Sequence, residues 1–237
     1  MSIKAILFDL DGTLLPMDQD VYIKAYLKGL CSVLAPKGYD PRAVAGALWK
    51  STDAMIANDG SKSNEAAFWN SFCEILGDGV KNEEPLLNEF YRTEFQKIKD
   101  VCGFSPKSKM LIDRLREAGI KVALATNPVF PAVATESRIR WAGLEPTDFE
   151  LVTTYENIGF CKPNPDYYLE VARRIGVNPR ECLMVGNDVG DDMVAEGLGM
   201  KVFLLTDCLI NKDGVDISRY PRGSFDALNA YIDEVVL

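Results

Sequence analysis

The chain contains no histidine, which removes the Ser-His-Asp and Cys-His mechanisms and the commonest transition-metal ligand. Whatever acid–base work is done falls to carboxylates. Six cysteines, at positions 31, 73, 102, 161, 182 and 208, lie far apart with no C-x-x-C pair. Their spacing speaks against a zinc site or a disulfide frame and fits reduced thiols, so a cytoplasmic location is expected. Basic residues are in the minority, 26 Lys and Arg against 35 Asp and Glu, leaving a net charge of −9. No nucleic acid and no membrane surface is expected as a partner, because both need a basic footprint. An anionic substrate would need local help from a metal or a placed lysine. Long apolar runs are missing too: those around 121–125 fall well short of the ~20 residues that span a bilayer. The opening stretch MSIKAILFDL has one lysine, leads straight into acidic residues and carries no small-residue cleavage site. It reads as a strand and not as a signal peptide.

With 237 residues, 47% of them hydrophobic and 26% charged, the chain has the composition of a globular protein that can bury a sizeable core, in one large domain or two small ones. Its most informative run is Lys4 to Leu15, KAILFDLDGTLL. Ile3 to Leu10 is nearly unbroken apolar, as expected of a central parallel strand covered on both faces. Asp9 and Asp11 then leave the same side of the extended chain, about 7 Å apart at roughly 3.3 Å per residue. Gly12 and Thr13 follow as turn formers, at the strand end where open α/β sheets bind their ligands. Taken alone, this is also how a strand with an ordinary Asp-Gly turn reads; the rest of the chain decides.

From Asp18 to about Lys99 the apolar residues recur at helical spacing. Val21, Ala25, Leu27, Leu30, Val33 and Leu34 form one face, ended by Pro36 and Gly38; further helices are expected over 41–57, 65–76 and 83–97. The aromatic residues here (Trp49, Phe68, Trp69, Phe72, Phe90, Tyr91 and Phe95) read mostly as the core of a small helical bundle. From Ser105 the rhythm turns to helix, strand, helix, strand, the pattern of a parallel sheet with crossover helices. Helix 107–118 leads to strand 120–125 and Thr126-Asn127-Pro128. A helix through Arg140 follows, then strand 150–154, a loop with Lys162-Pro163, helix 166–175 and strand 182–185. Gly186 to Asp192 opens a helix that stops near Gly199, and 201–205 is the final strand. The first strand has no partner except in this half, so the helical block is an insertion after it. The expected class is α/β: a doubly wound parallel sheet over 1–16 and 103–237, with an inserted α-helical domain at 17–102.

Polar residues cluster at the strand ends: Asp9 and Asp11 after the first, Thr126 and Asn127 after the second, Lys162 in the loop after the third, and Asp188 with Asp192 after the fourth. In a doubly wound sheet these converge on one edge. Asp188 and Asp192 sit four apart and share a helix face if a helix begins by Asp188; Asp191 best fits simple complementing of the helix dipole. Several carboxylates at one point repel, so such a cluster is normally held by a divalent cation. Oxygen ligands with few protein donors favour Mg²⁺ over Ca²⁺.

The four motifs together, DLDGT at Asp9 to Thr13, LATNP around Thr126, CKPNPDYY around Lys162 and GNDVGDD at Gly186 to Asp192, resemble the haloacid dehalogenase superfamily. The chain is similar to its phosphoglycolate phosphatases and β-phosphoglucomutases, which carry a helical cap after the first strand of a Rossmann-like core. The resemblance runs from Lys4 to about Thr206. It implies Mg²⁺-dependent cleavage of a small-molecule phosphate monoester through an aspartyl-phosphate. In that scheme Asp9 is the nucleophile and Asp11 the general acid and base. Thr126, Asn127 and Lys162 bind the phosphoryl group, and Asp9, the carbonyl of Asp11 and Asp188 hold the metal, with Asp192 on a metal-bound water. The motif departs from many relatives in placing Asn187 ahead of Asp188. Counting between acids selects Asp188 and Asp192, with Asp191 a rival for the second. Asp11 is absent from dehalogenating members, since halide needs no proton to leave, so its presence favours phosphate esters. Phosphomutase activity and a catalytically idle binding role are the other readings, and a monomer or weak homodimer is the expected assembly.

Overall fold

The computed structural model describes residues 2–237. Six parallel strands form one sheet in the order β3-β2-β1-β4-β5-β6: β1 Ala5–Phe8, β2 Lys121–Leu124, β3 Leu151–Val152, β4 Cys182–Gly186, β5 Lys201–Leu205 and β6 Arg222–Gly223. The central strand β1 is flanked by β2, with Ala5 opposite Lys121, and by β4, with Ala5 opposite Cys182. The strand order reverses at β1, and the crevice at that reversal is where doubly wound sheets hold ligands. Every residue of β1 is buried because both faces are covered: Ile6 and Phe8 enter one apolar layer, and Ala5 and Leu7 the other.

Between β1 and the second strand lie α1 Gln19–Leu34, α2 Pro41–Ile56, α3 Asn64–Leu76 and α4 Glu84–Arg92, before α5 Pro106–Glu117 returns the chain to the sheet. Their starts are written locally. Asp18 accepts from the amides of Asp20 and Val21, Asp40 accepts from those of Arg42 and Ala43 behind Pro41, and Ser63 caps α3, each satisfying donors that a first turn leaves free. The buried face of α1 is Tyr22, Tyr26, Leu30 and Leu34, whereas Val21 is exposed. Leu30 and Leu34 of the expected face are buried and Ala25, Leu27 and Val33 pack partly buried against the core, while the rings of Tyr22 and Tyr26 complete the seam. The helix expected over 83–97 breaks at Thr93, whose backbone leaves the helical region and whose hydroxyl bonds back to the carbonyl of Glu89. The chain continues as 3-10 turns over Glu94–Val101. Trp49, expected in the bundle core, is exposed.

One aromatic cluster joins the helical block to the sheet. Tyr26 meets Phe130 at 5.1 Å between ring centroids, and Phe95 meets Trp141 at 5.0 Å. Phe130 and Trp141 flank and end α6, Ala132–Trp141. Helix α7, Pro165–Arg174, covers the opposite face through Tyr167, Tyr168 and Val171. Beyond the expected final strand the chain adds β6 and α8, Phe225–Val235, whose Phe225, Leu228 and Ile232 pack inward. No helix among the described residues is long and apolar enough to cross a membrane, and all six cysteines are free thiols.

Candidate active site

The loops after β1, β2, β3 and β4 meet over the C-terminal edge of the sheet. At their centre is Lys162, a fully buried side chain whose Nζ donates to Asp9 Oδ1 at 2.9 Å and to Asp192 Oδ1 at 2.6 Å. Burial alone would drive this ammonium toward neutrality, but Asp192 and Asp9 outweigh it and hold Lys162 well above the ordinary lysine value. Burial likewise pushes the Asp192 carboxyl up to about 7. The backbone amide of Lys162 donates to Asn127 Oδ1 at 3.2 Å, and Asn127 Nδ2 reaches Asp191 Oδ2 at 3.4 Å. Asn127 thus ties three loops together. Thr126 is buried beside it, its carbonyl held by the hydroxyls of Tyr167 at 2.8 Å and Thr153 at 2.7 Å.

Two glycines make the approach possible. Gly12 takes φ of +86°, a left-handed turn in which an added side chain would collide with Asn187. Asn187 Oδ1 accepts from the Thr13 hydroxyl at 3.0 Å, and its Nδ2 donates to the carbonyl of Cys208 at 2.7 Å. Asn187 is therefore committed to joining loops. Gly186 leaves room for the carboxylate of Asp192, which lies directly against it.

The expectation that Asp188 and Asp192 share a helix face is corrected here. The segment is a run of turns, followed by 3-10 helix over Met193–Leu198. Asp188 Oδ1 accepts from the amides of Gly190 and Asp191, while Asp192 Oδ2 accepts from the amide of Asp188 at 2.9 Å. Both oxygens of Asp192 thereby meet protein donors, and its Oδ1 anchors Lys162. Asp191 is only partly buried and points toward Asn127.

Asp11 pairs with a residue that the sequence did not flag. Its Oδ2 accepts from Nη1 of Arg138, a side chain with no exposed surface in the middle of α6, while its Oδ1 is buried without a hydrogen-bond partner. Burial lifts the Asp11 carboxyl from the ordinary 3.8 to about 6; Arg138 opposes the rise and the charge of Asp9 adds to it. The folded protein then keeps this proton at pH values where the unfolded chain has lost it. That contribution to stability is full below about pH 4 and disappears as pH rises through about 6. In EDTA, the melting temperature is expected to fall over this window more steeply for the wild type than for Asp11→Asn; equal slopes would contradict the shift.

Five carboxylates (Asp9, Asp11, Asp188, Asp191 and Asp192) face two buried cations, Lys162 and Arg138. The imbalance, together with an oxygen-only donor set, fits a divalent cation. Among the described residues no three His, Cys, Asp or Glu side chains are arranged to hold a metal ion by themselves. A cation that keeps its own waters and takes few protein ligands matches that set, as Mg²⁺ does.

Comparison with known proteins supplies the remaining context. A family model described as haloacid dehalogenase-like hydrolase matches residues 3–199. The putative phosphatase YhcW of Bacillus subtilis is 29% identical over 132 residues, which cover 56% of this chain and 58% of that protein. A glyceraldehyde 3-phosphate phosphatase of Methanothermobacter thermautotrophicus is 26% identical over 227 residues, or 91% of this chain and 94% of its own length. Among solved structures, a 2-haloacid dehalogenase from Pseudomonas syringae superposes with a TM-score of 0.66 at 21% identity, covering 98% and 99% of the two chains. At that identity the likeness is one of fold.

Proposed function

The chain belongs to the haloacid dehalogenase-like hydrolases, and from that premise we propose that it is a phosphatase cleaving small-molecule phosphate monoesters by covalent attack of Asp9. One observation carries the reading: the carboxylate of Asp9, at the end of the central strand, is held by a buried lysine on one oxygen, while its other oxygen receives only a weak 3.3 Å bond from Thr13. A carboxylate so placed has one oxygen fixed and one available to attack phosphorus, splitting a hard displacement into two easier ones. The anionic substrate is drawn to Lys162, and the Thr126 hydroxyl and Asn127 amide receive the phosphoryl oxygens.

Asp11 supplies the proton to the leaving oxygen and later takes one from the attacking water. A carboxyl lifted to about 6 is suited to both duties near neutral pH. Asp9, the carbonyl of Asp11 and Asp188 would hold Mg²⁺, which supplies charge neutralisation for the phosphoryl group when bound. Asp192 keeps Lys162 aimed at Asp9. The helical block at 17–102 acts as a cap that chooses the alcohol half of the ester. The presence of Asp11 favours ester cleavage over dehalogenation.

The test is a phosphate-release screen across sugar phosphates, phosphoglycolate, glyceraldehyde 3-phosphate, nucleotides and cofactor phosphates, with Mg²⁺ and with EDTA. Phosphate release from at least one ester is expected, falling by about 100-fold or more in EDTA and returning with Mg²⁺. Turnover that resists EDTA would contradict the metal role. Isomerisation of a sugar phosphate without phosphate release would replace hydrolysis with phosphoryl transfer back to sugar.

A further inference from the structure

The pair formed by Asp11 and Arg138 is built in a way that a simple core ion pair is not. The guanidinium has no exposed surface and is fixed on several sides. Its Nε donates to the carbonyl of Ala134 at 3.4 Å and its Nη2 to the hydroxyl of Thr135 at 3.3 Å. Its plane lies over Phe130, with the central carbon 4.3 Å from the ring centroid, and 6.0 Å from the ring of Tyr22. These contacts determine where Nη1 points, and it points at Asp11 Oδ2 alone. Oδ1 of the same carboxylate is buried with no partner at all. An ion pair serving only the fold gains most when both oxygens are satisfied, and a planar fork can engage both at once. Here one oxygen is held and the other is enclosed without a protein partner.

We propose that Arg138 is a positioning residue that turns Asp11 so that its free oxygen, Oδ1, faces the leaving oxygen of the substrate. The proposal rests on the phosphatase reading and deepens it. In the step concerned, an oxygen of Asp9 forms a bond to phosphorus and the bond from phosphorus to the leaving oxygen breaks. The proton carried on Asp11 Oδ1 passes to that oxygen as its electron pair arrives, and Asp11 is left as a carboxylate. Arg138 keeps all its protons and touches no reacting atom. Its effect is geometric: a carboxyl free to rotate offers its proton in the productive direction only part of the time.

The prediction is read in the first turnover, where release of the alcohol isolates attack by Asp9 from the later water step. An alkyl phosphate needs a proton to leave, whereas a nitrophenyl phosphate does not. Arg138→Met is expected to slow alcohol release from the alkyl ester by about 100-fold, and from the nitrophenyl ester by less than about fivefold, with KM nearly unchanged. Asp11→Asn should show the same selectivity. The double variant should be no slower than Asp11→Asn alone, because both changes remove one function. Arg138→Lys, which retains a charge but cannot make the three-way fork, should recover part of the alkyl rate.

Equal losses on both esters, or additive losses in the double variant, would overturn the proposal. A lowered melting temperature with the alkyl rate of the folded enzyme intact would also overturn it and leave Arg138 as a fold element. If Arg138→Met does not fold, the lysine variant carries the same comparison, and an unselective loss there overturns the proposal as well. Failure of Asp11→Asn itself to discriminate between leaving groups would remove the acid role of Asp11 and this inference together. Discrimination by Asp11→Asn without discrimination by the Arg138 variants would remove only the inference.

Discussion

Replacing Asp9 with asparagine is expected to reduce turnover of every phosphate ester by at least about 10⁴-fold, the scale on which losing a covalent nucleophile is felt. The fold should survive. Asparagine keeps an oxygen for the Lys162 ammonium, which sits 2.9 Å from Asp9 Oδ1, and Asp192 remains to neutralise that lysine. Removing one of the two carboxylates around a single cation also relieves their mutual repulsion. The melting temperature of the variant should therefore lie within a few degrees of the wild type while phosphate release falls to background. An activity within tenfold of wild type in this variant would exclude covalent attack by Asp9. Acid-quenched wild-type enzyme incubated with substrate should carry phosphate on the peptide containing Asp9, and the variant should not.

Lys162→Met should hurt both stability and chemistry. The substitution conserves much of the side-chain volume but leaves Asp9 and Asp192 as two uncompensated carboxylates in a site where the lysine is only 1% exposed. Breaking a buried pair from one side costs about 3–5 kcal/mol, which for a chain of this size is roughly 6–20 °C of melting temperature. Adding Asp192→Asn removes one stranded charge and should recover a substantial part of that loss. It should not recover activity, because no cation is restored beside Asp9. Recovery of both together would mean that Lys162 acts only as a structural counter-ion. Recovery of neither would mean that Asp192 is not its principal partner.

The contrast between these two variants follows from where each residue's charge is answered. Asp9 is one of two anions on one cation, so its loss leaves a balanced pair. Lys162 is the cation, so its loss unbalances everything around it. The same reasoning gives Asp192 its place behind Lys162. Its Oδ1 lies 2.6 Å from Nζ, and its Oδ2 is bonded to the Asp188 amide.

What the sequence determined by itself was the class of the sheet and which polar residues follow its strands. The apolar run before Asp9, the strands near 121 and 182 and the polar residues that follow each were readable because buried parallel strands are compositionally distinct and because strand ends are marked by turn chemistry. Asn187, which precedes the acids, uses its side-chain amide to join the Thr13 hydroxyl and the Cys208 carbonyl. Less was legible where the signal was weak or depended on distant partners. The two-residue strand β6 is too short to leave a periodic pattern. Thr93 ended a helix through its own backbone and a hydroxyl bond, and the seam face of α1 was completed by tyrosines, whose polar tips disguise an apolar body. Arg138 was beyond reach altogether. Two residues along, Arg140 is half exposed and pairs with Glu136 and Glu145, as an arginine on a helix ordinarily does; nothing in ATESRIRW separates the two. Only the packing of α6 against Phe130 and the turn after β1 decided that one guanidinium would be enclosed beside Asp11, because a charge is buried only where tertiary contacts bring it an opposite charge to meet.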